Sequence, residues 1–175
     1  MPSDISDSQN QILVLEVRPR FTGFVVLQPP SRLLDFGTRK HSVSEDELPA
    51  LAAKKMSALL DLHQPSLIVV RERKVLAAHA RSKVSTILQV VRREAKKRSI
   101  QVQAIPANSA RQIFVSQQRT SKSQRATLIA RQFPELSWKL PPVRKKWKSE
   151  DRRMAIFDAA ATALAFMNRS PPPNR

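Results

Sequence analysis

The sequence has no cysteine, which excludes disulfides and thiolate metal sites and leaves the redox compartment open. Only two residues are glycine, so the Gly-rich loops that cradle phosphates in nucleotide sites are excluded too. Three histidines, His41, His63 and His79, lie far apart without metal-ligand spacing. No apolar run approaches the ~18 residues of a membrane span. No basic segment leads into an apolar one at the start, so no signal peptide is read. The expectation is a cytoplasmic protein with no membrane partner. Negative charge is also scarce: 14 Asp and Glu face 31 Lys and Arg, a net charge of +17. Such an excess repels itself unless an anion is near. Nucleic acid is the first candidate, because Lys and Arg gain affinity by releasing its condensed counterions.

What the chain does have is enough apolar material, 41% of 175 residues, for one domain with a full core. Residues 1–9 read as a flexible tail, 10–168 as a single domain and 169–175 as a second tail. Ile12–Val17 is a continuous apolar run, fit for a strand covered on both faces. Runs at Thr22–Leu27 and Arg32–Phe36 complete a three-stranded meander, with Pro29 and Pro30 forcing the turn between the last two. Ser44 and Glu47 match a capping box ahead of a helix carrying Leu48, Leu51, Ala52, Leu59 and Leu62. Pro65 ends that helix, and "SLIVVRE" follows as a fourth strand. Leu76, Ala80, Val84, Ile87, Val91 and Ala95 mark a long helix with a basic far side. "SIQVQAIP" is a fifth strand. Ser109 with Gln112, and Ser121 with Gln124, each suggest a capped short helix. Residues 134–150 form a basic Pro/Trp loop, and a last helix runs from about Glu150 to Met167. A meander followed by alternating strands and helices implies an α/β fold, a mixed sheet with helices on both faces.

The carboxylates sort into ordinary and unusual. Glu45, Asp46 and Glu47 open a helix, where they suit its dipole. Glu94 sits on a basic helix face within reach of Lys97 and Arg98. Glu16 and Glu72, however, each end a buried strand, and Asp158 lies in the apolar helix "AIFDAAATALAF". Two readings stand. Each acid is an ion-pair partner of a nearby Arg, or the three share a divalent cation. An uncompensated acid in an apolar helix costs several kcal/mol; Mg²⁺ or Mn²⁺ on three carboxylates removes that cost and can activate water for phosphodiester hydrolysis. Asp151, seven residues before Asp158, would share its helix face. A Glu16 bonded to Arg18 argues for the ion pair, and three acids within one cation's reach argue for the metal.

At these residues the chain resembles the RuvC-type Holliday junction resolvases. "ILVLEVRPRFTGFVVL" is similar to their first strand, which places Glu16 on the first catalytic acid and aligns Thr22 and Gly23. "SLIVVRE" resembles the fourth strand, whose final catalytic Glu is Glu72 here. "NSARQIFVSQQRTSKSQ" resembles the segment after the fifth strand and puts Arg111 and Lys122 on basic positions near DNA. "FDAAATALAF" resembles the last helix and puts Asp158 on the final catalytic acid. The resemblance covers about residues 11–168. It implies an RNase H-like five-stranded mixed sheet, order 3-2-1-4-5. It further implies a Mg²⁺- or Mn²⁺-dependent endonuclease on branched or structured DNA, with Glu16, Glu72 and Asp158 as catalytic ligands joined by Asp151, and a homodimer. A catalytically weak nucleic-acid-binding relative, or a related nuclease acting on RNA, are the alternatives. The sequence departs from the family in having Glu for Asp at Glu16, Val17 and Arg18 for Pro-Gly, and Ala155 for the acid three residues before Asp158. Expected backbone contacts are Arg18, Arg20, Arg73, Lys74, Arg111, Arg119, Lys122, Lys145, Lys146 and Lys148. Trp138 and Trp147 either stack on exposed bases or pin the loop to the core; the second is expected of at least one.

Overall fold

A computed structural model describes residues 10–72, 82–114, 120–143, 145, 147 and 149–169, without the side chain of Arg111. The meander forms as β1 (Ile12–Val17), β2 (Phe21–Gln28) and β3 (Arg32–Lys40). Helix α1 (Leu48–His63) leads to β4 (Leu67–Arg71), and α2 (Lys83–Lys97) to β5 (Gln101–Ile105). Short helices α3 (Ser109–Gln112) and α4 (Lys122–Gln132) precede a 3-10 turn at Pro134–Lys139, and α5 (Met154–Arg169) closes the chain. The sheet order is β3-β2-β1-β4-β5. β1 pairs antiparallel with β2 and parallel with β4, the central placement that a doubly covered apolar strand requires.

Strand alternation divides the core into two layers. Leu13, Leu15, Phe24, Val26, Ile68 and Val70 face α1 and α2. Ile12, Val14, Val25, Leu27 and Val69 face α5 with its neighbours. Glu16 continues the second series. It is paired across the ladder with Gly23, so both lie on the α5 side. A Cβ at Gly23 would stand 2.5 Å from the backbone carbonyl of Ala155. Only glycine lets α5 approach the sheet this closely, and it does so next to Glu16.

Several local expectations shift. Ser121 and Gln124 make the full reciprocal capping box, but Ser109 lies inside the one-turn α3 and its buried hydroxyl makes no bond among the described residues. Ser44 instead donates to the Glu47 carboxylate at 2.7 Å, one residue ahead of α1. Leu62, read as a core position, is 69% exposed. The segment 134–150 is not all loop, since it begins with the 3-10 turn. α5 begins at Met154, four residues later than the sequence suggests. Glu94 takes both of its expected partners, Lys97 at 2.8 Å and Arg98 at 3.1 Å, and Arg98 continues to Asp61 on α1. That network ties α1 to α2. The two tails, and the Leu76–Arg81 part of the long helix, fall outside the described residues, save that Arg169 ends α5.

Candidate nuclease-like carboxylate cleft

At the C-terminal ends of β1 and β4 a cleft of about 860 Å³ opens between the sheet, the β5–α3 connection, α4 and α5. Ligand sites in open α/β sheets favour this edge. β1 delivers Glu16, which is 1% exposed, to its floor. α5, seated against Gly23, brings Asp158 from above. Glu72, one residue past β4, lies at the exposed rim, where its N–H donates to the Ile105 carbonyl at 2.6 Å. The three acids singled out from sequence thus line one cleft.

A fourth carboxylate joins them, and it is Glu150 rather than Asp151. Residues 150–153 precede α5, so the helical spacing that placed Asp151 beside Asp158 does not apply there. Asp151 turns to the other side and is held by Arg153 at 2.7 and 3.0 Å. That hydrogen bond lowers the Asp151 carboxyl below its ordinary value, with burial opposing. Ala155 is wholly buried and contributes nothing to the cleft. Glu150 was missed because it was assigned to the helix start as an ordinary dipole-compensating acid.

Arg18 stands at the meeting point of these acids. Its Nη1 donates to Glu150 and its Nη2 to Asp158, and its Nε is 3.7 Å from Glu16 Oε1. Arg71 approaches the same Glu16 oxygen at 3.5 Å, rather than serving Glu72. Lys122 reaches Glu150 at 2.6 Å and Asp158 at 3.9 Å. Burial raises the Glu150 carboxyl, but the Lys122 hydrogen bond and the charges of Arg18 and Lys122 outweigh it, and the net shift is downward. Arg125, absent from the sequence-based set, also lines the cleft.

The other expected backbone contacts are spread out. Arg20 is exposed in the β1–β2 turn, outside the cleft lining. Lys145 is exposed, 5.7 Å from the Trp147 ring centroid. Arg73, Lys74, Arg119, Lys146 and Lys148 lie outside the described residues, as does the Arg111 side chain. Neither Trp is a core pin: Trp138 is 70% and Trp147 79% exposed.

The strand order, the central β1 and an acid from the last helix beside it decide the architecture. The fold is that of the RuvC-type resolvases. Thermus thermophilus RuvC in complex with a Holliday junction substrate superposes with a TM-score of 0.66 at 16% identity, over 92% of this chain and 96% of that one. The yeast mitochondrial Holliday junction resolvase Ydc2 gives 0.66 at 14% identity, over 94% and 80%. A fowlpox virus resolvase bound to Holliday junction DNA gives 0.54 at 10% identity, over 91% and 97%. No protein-family model and no curated protein sequence matches the chain. At these identities the likeness to RuvC establishes architecture. No helix among the described residues is long and apolar enough to cross a membrane.

The RuvC-like position of the acids raises the question of a cation. Three carboxylates within 4 Å of one guanidinium converge on a single point, and hard oxygen donors of this kind suit Mg²⁺ or Mn²⁺. Among the described residues no three acids or histidines form a ready-made cage, because Arg18 stands between them. The donor set fits a divalent cation on one condition, that Arg18 withdraws. Both outcomes weighed from sequence are therefore present together: the ion pair to Arg18, and the acids gathered at one place.

Proposed function

We propose that this chain is an endonuclease that hydrolyses phosphodiesters in branched DNA. The observation that carries the reading is the convergence of Glu16, Glu150 and Asp158, from three separate segments, on one point of a cleft that Glu72 also lines. Glu16, Glu72 and Asp158 would hold Mg²⁺ or Mn²⁺, with Glu150 in the place first given to Asp151. When bound, the cation would supply an activated water and stabilise the leaving oxygen. The chain's own residues orient the substrate. Lys122 and Arg125 on the α4 wall, and Arg71 on the β4 side, are placed to hold phosphates on either side of the acids. Arg18, once released, is a fourth phosphate ligand, and its planar fork suits bidentate contact. The net charge of +17 makes a polyanionic substrate the natural partner, and the solved proteins of this fold include two bound to Holliday junctions.

A second reading has a specific observation behind it. Arg18 already neutralises the acids, so the domain can hold DNA without cutting it. Incubating a labelled four-way junction with the protein in Mn²⁺, beside Asp158→Asn and Glu72→Gln, separates the two. The nuclease reading expects cutting that both substitutions abolish. Tight binding with no cutting by any of the three proteins would overturn it in favour of the binder.

A further inference from the structure

A second groove, of about 640 Å³, lies on the other side of the segment that carries Glu150. It runs between β3, at Gly37 and Thr38, and the start of α5, at Arg152, Arg153 and Ile156, with Lys139 on its third side. Neighbouring residues divide between the two clefts: Glu150 lines the first and Asp151 the second. The volume is within the range of ligand-sized clefts, roughly 300–1,000 Å³. Its charge is unlike that of the first cleft. The acid present, Asp151, is satisfied by Arg153, and Lys139 and Arg152 form no ion pair among the described residues, so the groove keeps a surplus of two cations.

An exposed aromatic stands at its rim. Trp138 is 70% exposed, yet its ring is held in place. Phe36, next to Gly37, lies 6.2 Å away at a 60° tilt, and the Lys139 ammonium sits 3.9 Å from the ring centroid. An aromatic kept out of the core but fixed in orientation, with unpaired cations beside it, is the arrangement that stacks an unpaired base and holds its phosphates. A duplex keeps its bases inside the helix and offers nothing to Trp138. An unpaired strand offers both components.

We propose that this groove is a second nucleic-acid site, taking an unpaired DNA strand with Trp138 as stacking platform and Lys139 and Arg152 as phosphate contacts. It rests on the reading that the protein holds branched DNA, and extends it from the paired arms to a strand that leaves them unpaired.

The test is fluorescence anisotropy with a labelled twelve-nucleotide oligo(dT) and, separately, a fully paired four-way junction. The proteins are the wild type, Trp138→Ala, Trp138→Phe, the double variant Lys139→Ala with Arg152→Ala, and Lys122→Ala from the first cleft. Thermal melts confirm folding, which the exposure of Trp138 makes safe to expect. Trp138→Ala should weaken oligo(dT) binding by at least about fivefold, the low end for losing one stacked base, and Trp138→Phe should restore most of it. The double variant should lower the slope of log affinity against log salt by about two. Oligo(dT) affinity and salt slope unchanged in both groove variants would overturn the proposal. If Lys122→Ala still weakened junction binding in that case, the first-cleft reading would stand while this one fell. Weakened oligo(dT) binding in the groove variants, with junction binding indifferent to Lys122→Ala, would establish the groove and count against the first cleft.

Discussion

Replacing Arg18 with alanine removes the group on which three carboxylates converge. The side chains concerned are largely screened from water: Arg18 is 12% exposed, Asp158 14%, Glu150 24% and Glu16 1%. Removing one partner of a fully buried ion pair costs roughly 3–5 kcal/mol, because the other charge is left uncompensated. This cluster opens onto a cleft, and Lys122 and Arg71 remain nearby, so the expected loss is smaller, about 2–3 kcal/mol. With a urea m-value of roughly 2 kcal/mol/M, the unfolding midpoint should fall by about 1 M. The same change should free the acids for a cation. A ligand at ten times its Kd stabilises by about 1.4 kcal/mol, worth roughly 3–6 °C in a domain of this size. Urea and thermal unfolding should therefore be run with and without 10 mM Mg²⁺, at roughly matched ionic strength to allow for screening. The variant should be less stable than wild type without Mg²⁺ and gain more from it. Wild-type stability in the variant, or equal Mg²⁺ gains in both proteins, would refute the idea that Arg18 and a cation compete for these acids.

Three further outcomes follow from the same structure. Gly23→Ala places a methyl 2.5 Å from the Ala155 backbone; helix backbone cannot yield as a side chain does, so urea unfolding should show a loss near the upper end of overpacking costs, about 3 kcal/mol, and a loss within measurement error would mean α5 is not seated there. His41 is buried, with its Nε2 2.8 Å from the Thr22 hydroxyl, and burial, aided by the Lys55 charge, lowers its pKa from 6.5 to about 4. The unfolded chain then binds the extra proton between these values, so this stability is complete above pH 6.5 and is lost as pH falls towards 4, by up to about 3 kcal/mol; in His41→Gln the urea midpoint should vary less between pH 6.5 and 5 than in wild type, and an equal slope would exclude His41 as its source. Lys122→Ala should weaken junction binding and lower the salt slope by about one, and titrations at several KCl concentrations would show whether it is a phosphate contact.

The sheet was legible because its signals are local and strong. An apolar β1 ending in one acid, a double proline at the second turn and a β4 ending in another acid constrain the topology closely. Asp158 was legible because an acid in an apolar helix stands out against its neighbours. Glu150 was not, since its role depends on where α5 begins, and helix boundaries are set by packing more than by the residues that flank them. Extending helical periodicity four residues too far put Asp151 in the cleft and hid Glu150. Arg18 was visible beside Glu16, but its other two partners are 132 and 140 residues away in sequence, beyond any spacing argument. The exposure of Trp138 was misjudged for a related reason. A large aromatic normally serves the core, whereas the 3-10 turn it occupies buries Leu136 and leaves Trp138 outside.

The most direct test of the central claim is to soak crystals of the protein in Mn²⁺ and compute anomalous difference density. The account predicts a peak among Glu16, Glu150 and Asp158, with the Arg18 guanidinium moved away from it. Arg18 still bonded to Glu150 and Asp158, with no peak in the cleft at saturating Mn²⁺, would contradict the claim that these carboxylates are a cation site.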